Sequence, residues 1–267
     1  MTWRWSVIVL AVCLGCRAVE PTTLIVATSL LETAVRDYAP ALPAGVEIVS
    51  LIPPGSCPGH FDLPPRTLPL LQRASLVLRH DFQQGLDGQL RKLGGTDLQV
   101  KAIAAKGSLL VPANYLAMSA ELADALVALW PAQAVPLRAR QAVVAQEITA
   151  LGEAVLAGER PWRDARVIAS GQQEAFCTWL GLKVVATLPR PDDTSPRQLA
   201  ELLRADAALV VGNLQSDAKA ATSLAERKGV PVAVFSNFPA TTENGYAALL
   251  AANRKELETA WQARSQR

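Results

Sequence analysis

The two histidines, the only ones in the chain, are the side chains best suited to chemistry. His60 lies in a loop rich in Pro and Gly, together with Cys57 and Asp62. Cys57 and His60 have C-x-x-H spacing, which on a tight loop can place a thiolate and an imidazole on one metal ion. Asp62 is a further ligand or a carboxylate that orients an imidazole. With His80, which Asp81 follows directly, these residues predict a metal site.

Each of these residues also has an ordinary structural interpretation. Zinc takes four protein ligands, or three and a water, so the C-x-x-H pair alone is incomplete. His60 and His80 can be loop residues with local hydrogen bonds, and Cys57 can pair with Cys177 in a disulfide if the compartment is oxidising. A Cys/His pair can also form a nucleophile and its base. No third orienting group and no nucleophile or phosphate-binding motif accompanies them, so we do not expect an enzyme.

Both histidines follow predicted strands. Val46–Ile52 is a β-branched run ahead of the His60 loop, and Ala74–Leu78 is an apolar run ahead of His80. Open α/β sheets bind their ligands beyond the carboxyl ends of the strands. We therefore expect His60 and His80 to face one cleft.

Strand and helix patterns alternate on both sides of a long helical stretch. Val135–Leu156 has apolar residues at helical spacing and would span about 33 Å. A shorter helix precedes it, predicted over Ser119–Trp130 with Ser119 as the N-cap. We predict an α/β fold with two βα lobes joined by one long linking helix, and a ligand cleft between the lobes. The lobes are expected over residues 17–130 and 161–267, with the linking helix within 131–160. The eight predicted strands are Leu24–Ala27, Val46–Ile52, Ala74–Leu78, Leu98–Ile103, Arg166–Ala169, Lys183–Thr187, Ala207–Val211 and Pro231–Phe235.

The N-terminus has the pattern of an export signal. Arg4 precedes an apolar run, Ser6–Leu14, that is too short to span a bilayer. The following Gly15-Cys16 resembles the lipobox of bacterial lipoproteins, although Cys13 stands where leucine is usual. The resemblance implies a signal peptide over residues 1–16, with Cys16 lipidated and the protein anchored in the periplasm or cell envelope. A plain secretory signal or a short membrane anchor is the alternative.

Composition argues against a nucleic-acid protein. The formal net charge is +2, and half of the residues are hydrophobic. No basic run with interleaved aromatic residues is present that would follow a phosphate backbone. A packed globular core and no nucleic-acid partner are therefore expected.

Several segments in a fixed order resemble one family of transport proteins. The segments are SLIPPG, HFD, ASLVL, WLGLKVV and GVPVAVF, arranged around the long central helix. From about Leu24 to Trp261 the chain resembles the zinc/manganese-binding solute receptors of bacterial ABC transporters. The resemblance implies two lobes, a divalent metal (zinc or manganese) bound between them as the transported ligand, an ABC permease as partner, and a monomer.

The chain matches that family only in part at the metal ligands. A typical member supplies three histidines and one carboxylate, and His60 falls on the first histidine loop. The second histidine position lands near Asn114 and the third near Gly171-Gln172, while the carboxylate loop becomes Ser236-Asn237. Amide oxygens are hard, neutral donors that suit calcium better than zinc.

Polar residues after the second-lobe strands complete the predicted cleft. The amide side chains among them are suited to binding a polar organic ligand. They are equally typical of residues that form turns after strands. Acidic residues near helix starts, such as Glu174 and Asp217, are predicted to be helix-start carboxylates and solvated charges. We expect a solute-binding lipoprotein that delivers a metal ion to an importer; the alternatives are a receptor for a non-metal ligand and an envelope metal-chaperone or adhesion protein. The predicted cleft residues are Asn114, Gln172, Gln173, Asn213, Gln215 and Asn237.

Overall fold

The computed structural model describes residues 22–53, 56, 58, 61, 63–94, 98–241 and 245–264. Strands and helices alternate through both halves of this part of the chain, as the sequence patterns predict. The strands are β1 Thr23–Val26, β2 Glu47–Ser50, β3 Ala74–His80, β4 Gln99–Ile103, β5 Arg166–Ser170, β6 Lys183–Leu188, β7 Leu209–Asn213 and β8 Val232–Phe235. The α-helices are α1 Ser29–Asp37, α2 Leu68–Arg73, α3 Asp87–Leu93, α4 Pro112–Leu129, α5 Ala134–Ala157, α6 Glu174–Trp179, α7 Pro196–Arg204, α8 Ala218–Lys228 and α9 Gly245–Arg264.

Two parallel four-stranded sheets with the same strand order form the two lobes. The first sheet has the order β2-β1-β3-β4 and the second has the order β6-β5-β7-β8. In the first sheet β2 lies on one side of β1, and β3 and β4 lie on the other side. In the second sheet β6 lies on one side of β5, and β7 and β8 lie on the other. The direction of strand addition therefore reverses between β1 and β3 and between β5 and β7. Such a switch point leaves a crevice at the carboxyl ends of its two strands, where ligands bind.

The central strands are buried on both faces. Every residue of β1 and of β7 is buried, whereas the edge strands β2 and β4 are partly exposed. Helices cover both sides of each sheet, which explains why the central strands are continuous apolar runs rather than alternating ones. This pattern made the strands easy to predict from the sequence.

The long helix α5 confirms the predicted connection between the lobes. It runs without a break over Ala134–Ala157 and has 24 residues, a length of about 36 Å. A single 3₁₀ turn, Pro131–Gln133, separates it from α4. Its buried residues recur at helical spacing and pack into the core; they are Leu137, Val144, Ile148, Gly152 and Val155.

The predicted start of the preceding helix is wrong. Helix α4 begins at Pro112, seven residues before Ser119, and Pro112 occupies the first turn, where its missing N–H costs nothing. Ser119 is buried inside the helix, and its Oγ lies 2.9 Å from the Tyr38 hydroxyl. The sequence VPANYLAM therefore begins a helix, whereas the family resemblance had placed a ligand loop there.

The two lobes share one hydrophobic core, which α9 helps to close. A single buried cluster includes Leu24 of β1, Val167 of β5 and Leu250 of α9. Gly245, at the start of α9, lies so close to α1 that a Cβ atom there would come within 2.2 Å of Thr33 Oγ1. The Tyr246 hydroxyl lies 3.1 Å from the carbonyl oxygens of Leu109 and Leu110 in the first lobe. The C-terminal helix thus packs against the first lobe as well as the second.

Within the part of the chain that the structure describes, no helix combines the length and the apolar character needed to cross a bilayer.

Candidate functional site

A cavity of about 650 Å³ lies between the lobes, at the carboxyl ends of both sheets. Residues that end or follow strands of both sheets line it. From the first lobe these include Pro58, His80, Phe82, Ser108 and Leu109, and from the second lobe Gln172, Glu174, Arg190, Asn213, Gln215 and Asn237. The switch points of both sheets therefore open into the same space.

His80 is the last residue of β3, two residues beyond the strand end that the sequence predicted, and it is completely buried. Its Nε2 lies 3.2 Å from Oγ1 of Thr28, which follows β1, so the pair spans the switch point. Its ring stacks on Phe82 with the centroids 5.1 Å apart. Its backbone N–H donates to Oε1 of Gln83, whereas its Nδ1 has no hydrogen-bond partner among the described residues. The Thr28 hydroxyl therefore pairs with Nε2, whereas Nδ1 has no partner among the described residues.

Burial lowers the pKa of His80 from its ordinary 6.5 to about 4, and the nearby charge of Asp81 offsets this only in part. The imidazole is therefore neutral at neutral pH, and the neutral form is the one that binds metals. If Nε2–H donates to the Thr28 hydroxyl, Nδ1 carries a lone pair for a cation. If the Thr28 hydroxyl donates to Nε2 instead, Nδ1–H offers a donor to an anionic oxygen. The bound ligand decides between the two tautomers.

Asn213 holds the equivalent position at the end of β7 in the second lobe. It is 1% exposed, and its Oδ1 accepts the backbone N–H of Gln215 at 2.9 Å and lies 3.2 Å from the hydroxyl oxygen of Ser216. Because a backbone N–H can only donate, these bonds fix the orientation of the amide. Its Nδ2 has no partner among the described residues. Asn213 therefore contributes an unsatisfied donor to the wall of the cavity.

Asp217 stands behind Asn213, and it is not the solvated charge that the sequence predicted. It does precede α8, but its side chain is buried because the ends of β5 and β7 enclose it. Its carboxylate accepts the Asn213 backbone N–H at 2.7 Å and the hydroxyls of Ser170 at 2.5 Å and Ser216 at 2.9 Å. These three donors already engage the carboxylate, so it holds the wall in place rather than facing the cavity.

The remaining amides of the second lobe bond mainly to one another. Gln173 donates from Nε2 to Oδ1 of Asn237 at 2.9 Å, and Oε1 of Gln215 accepts the Asn237 backbone N–H at 3.0 Å. Gln215 also donates to the Ser236 hydroxyl at 2.9 Å. Gln215, Asn237 and Gln172 line the cavity, whereas Gln173 is completely buried beneath them.

Charged side chains of both signs also line the second-lobe wall. Arg190 follows β6 and is exposed, and its guanidinium has no hydrogen-bond or ion-pair partner among the described residues. Glu174 lies in the first turn of α6 and accepts a hydrogen bond from the Thr187 hydroxyl. Arg190 therefore offers a free cation to the cavity.

Most of the predicted metal ligands lie outside the described residues. This applies to Cys57, His60 and Asp62, and also to the lipidation site Cys16. Within the described ranges, no group of three or more His, Cys, Asp and Glu side chains is placed to hold a metal ion. The loop reaches the cavity at Pro58, whose carbonyl accepts a hydrogen bond from Gln83 Nε2 at 3.3 Å. A metal site with His80 therefore needs donors from this loop or from the ligand itself.

Two other predictions can be compared with the structure. Asn114 lies in the first turn of α4, where its amide donates to the Ser108 carbonyl at 2.9 Å, and it does not line the cavity. Cys177 is a free thiol, completely buried, with its pKa raised by burial. The structure thus does not support the disulfide alternative.

Arg190 and Phe82 are among the cavity residues that the sequence analysis did not select. Arg190 comes shortly after a strand, so the strand-end rule that selected the amides would also have found it. Phe82 gave no signal, because an aromatic residue two positions after a histidine is usually part of the core. Only the packing shows it to be half exposed and stacked on His80.

Two parallel α/β lobes, one bridging helix and an interlobe cavity at the strand ends define the solute-binding protein fold. The family model described as "ZnuA: Zinc-uptake complex component A periplasmic" matches residues 33–260. The chain therefore belongs to this family.

Solved structures of similar fold agree with this assignment. A crystal structure of ZnuA superposes with a TM-score of 0.71 at 16% identity, covering 89% of this chain and 99% of that one. The SBP FpvC from Pseudomonas aeruginosa in complex with Mn²⁺ gives 0.72 at 17% identity, covering 91% and 99%. A periplasmic metal binding protein from Candidatus Liberibacter asiaticus gives 0.71 at 12% identity, covering 90% and 99%. A comparison with curated protein sequences finds no match.

Proposed function

We propose that this protein binds a divalent metal ion of the zinc or manganese class between its lobes and delivers it to the permease of an ABC importer. The metal is cargo, and the protein acts as a binding protein rather than as a catalyst. The family supports this function, since its model describes a periplasmic component of a zinc-uptake complex. The FpvC structure, which has a similar fold, contains Mn²⁺.

The observation that carries the proposal is the state of His80. A fully buried imidazole normally has both nitrogens satisfied, because an unpaired buried polar atom costs about 1–3 kcal/mol. Here Nδ1 is unpaired among the described residues, and His80 lines the interlobe cavity. The Thr28 hydroxyl can accept Nε2–H and so orient the ring for a metal, as partners behind metal-bound histidines do.

The further ligands are proposed from the loop that Pro58 brings to the cavity. His60 lies two residues after Pro58 in the sequence, and Cys57 lies directly before it. Together with Asp62 and His80 they would supply imidazole, thiolate and carboxylate donors, the set that zinc prefers. All donors would then come from the first lobe.

The cellular setting is part of the same proposal. We place the mature protein in the periplasm or cell envelope, lipid-anchored through Cys16, as a monomer that docks on a membrane permease. The lobe limits at residues 17–130 and 161–267 stay predictions. Mass spectrometry of the native protein should find a lipid-modified Cys16 at its N-terminus, and Cys16→Ser should release it from membranes; a soluble native protein would contradict the anchor.

Calorimetric titration of zinc and manganese into metal-free protein tests the metal-binding function. Wild type should release heat, and His60→Ala and His80→Gln should each weaken binding at least about ten-fold, the loss of roughly one metal–ligand bond. Gln84→Ala is the matched control, because Gln84 is exposed and lies four residues from His80. Thermal unfolding of each variant separates lost ligands from lost fold. No heat from wild type with either metal would refute the proposal.

Imidazole NMR gives a direct view of the ligands, since the chain has two histidines. With ¹⁵N-labelled protein, zinc should shift the Nδ1 resonance of His80, and the His80→Gln spectrum assigns it. Unchanged histidine resonances at saturating zinc would show that the metal binds elsewhere.

A second candidate function is a receptor for a small polar organic ligand. The unsatisfied Asn213 Nδ2 and the unpaired Arg190 on the second-lobe wall favour it, because both are donors to anionic oxygen and neither binds a metal cation. A protein that ignores both metals but binds a small carboxylate would establish this function instead.

A further inference from the structure

The cavity is much larger than a bare metal ion needs. Its volume of about 650 Å³ falls in the range of small-molecule sites, roughly 300–1,000 Å³, and would hold about twenty waters at ~30 Å³ each. Its lining is also typical of such sites. Exposed Phe82, with Leu109 and Phe238, supplies apolar surface, and a few polar groups project between them.

The charges of the described lining residues do not neutralise a divalent cation. Arg190 and Glu174 carry opposite charges, and the hydroxyl of Thr187 already donates to Glu174. The Asp217 carboxylate is buried behind the wall, where three donors engage it. A cation in this part of the cavity is therefore favoured if it arrives with its own anionic ligands, because an uncompensated charge in a partly desolvated site is costly.

The second-lobe wall presents donors suited to such an anionic ligand. Asn213 Nδ2 is a buried N–H₂ group without a partner among the described residues, and its orientation is fixed by the bonds that its Oδ1 accepts. The Arg190 guanidinium, which lines the same cavity, has no ion-pair partner within the described ranges. An arginine and an amide N–H are a common pair for binding a carboxylate. On the opposite wall His80 presents a neutral ring nitrogen.

We propose that the cargo is a metal ion chelated by a small organic carboxylate, with the metal on the His80 side and a carboxylate held by Arg190 and Asn213 on the other. The two walls then recognise two parts of one ligand, and Phe82 covers its apolar face. This inference rests on the proposed metal-binding function. It also accounts for the two unpaired second-lobe groups whose residues line the cavity, Asn213 Nδ2 and the Arg190 guanidinium, because both are donors and metal coordination would require acceptors.

Zinc nitrilotriacetate is a suitable probe, because this carboxylate chelator leaves open positions on the metal for an imidazole and gives the complex a negative charge. Zinc chloride, zinc nitrilotriacetate and nitrilotriacetate alone are titrated calorimetrically into metal-free full-length protein. Wild type should bind the chelate at least as tightly as zinc alone. Arg190→Gln should lower the ratio of the chelate affinity to the zinc affinity about ten-fold or more, the effect of one charged hydrogen bond.

Arg197→Gln is the matched control, because Arg197 is an exposed arginine of the same lobe away from the cavity and should leave that ratio unchanged. His80→Gln should weaken binding of both zinc and the chelate.

The possible outcomes distinguish the proposed metal-binding function from the chelate inference. If neither form of zinc binds, the proposed function itself fails. If zinc binds but the chelate does not, or if Arg190→Gln leaves the ratio unchanged, only the chelate inference is overturned. Tight binding of nitrilotriacetate alone, equal to that of the chelate, would also overturn it, since the metal would then contribute nothing.

Discussion

The two walls of the cavity have the same topology and opposite chemistry. Each is built at the switch point of a sheet with the same strand order. One residue stands at or just after the end of β1 or β5, and the other ends β3 or β7. In the first lobe these residues are Thr28 and His80, a neutral pair in which one ring nitrogen has no hydrogen-bond partner among the described residues. In the second lobe they are Ser170 and Asn213, with Asp217 between them.

The difference shows that the sheet topology determines the position of a polar side chain at the cavity. The surrounding hydrogen bonds determine whether that side chain presents a donor or an acceptor to the ligand. The Asp217 carboxylate of the second lobe is engaged by three donors of its own wall, and Asn213 and Arg190 offer donors on that wall beside the Glu174 carboxylate. The imidazole of the first lobe has the Thr28 hydroxyl as its ring partner, and its Nδ1 has no hydrogen-bond partner among the described residues, so it keeps an acceptor or donor for the ligand. The predictions below test each side of this comparison.

Removing the second-lobe carboxylate should have the largest effect. Asp217→Ala leaves the Asn213 N–H and the hydroxyls of Ser170 and Ser216 without their acceptor, and we expect a loss of about 4 kcal/mol in the free energy of unfolding. Urea denaturation measures it. Asp206→Ala is the control, because Asp206 is an exposed carboxylate and should change stability by less than about 0.5 kcal/mol. An Asp217→Ala protein as stable as wild type would show that the network is not structural.

His80, in the first-lobe wall, should make the free energy of unfolding depend on pH. The folded pKa of His80, about 4, lies below the ordinary 6.5 of the unfolded chain, so the unfolded state takes up a proton first as the pH falls. Stability from this group is complete above pH 6.5 and is lost between 6.5 and 4, by about 3 kcal/mol in total. Urea denaturation of the metal-free protein across this range measures the loss.

His80→Gln provides the comparison for that pH profile, because it removes the titrating group and leaves every other one. The difference in unfolding free energy between wild type and the variant should change across the window and stay constant above it. Parallel profiles would contradict the assigned pKa of His80.

Removing the Phe82 ring, which covers His80 in the first-lobe wall, should have the smallest effect on the free energy of unfolding. Phe82 is half exposed and stacks on His80, so Phe82→Ala should cost about 1 kcal/mol in the free energy of unfolding. The more informative result is the pKa of His80, which should rise from about 4 towards 6.5 because water reaches the ring. NMR titration of the imidazole measures it. Leu214→Ala, which removes a similarly exposed apolar side chain from the second lobe, should leave that pKa unchanged.

The sequence by itself determined the fold class and the alternation of strands and helices. Buried parallel strands are continuous apolar runs, and all eight were recognised with ends shifted by a few residues. The long helix was also predictable, because its apolar residues recur at helical spacing and, beyond its first turn, it contains no proline and only one glycine, Gly152. His80 was selected correctly as a strand-end residue, since strand ends lie at the ligand-binding edge of a parallel sheet.

Only the tertiary structure decided which strand-end residues face the cavity and with which atoms. Asp217 and Arg190 both follow strands, yet Asp217 is buried with three donors, whereas the Arg190 guanidinium has no partner among the described residues. The reason is that the neighbouring strand β5 supplies Ser170 to Asp217, whereas β6 stands at an edge of the sheet. Asn114 faces Ser108 rather than the cavity because Pro112 starts a helix there. Hydrogen-bond partners that lie tens of residues apart cannot be read from local spacing, and they determine whether a polar group is available to a ligand.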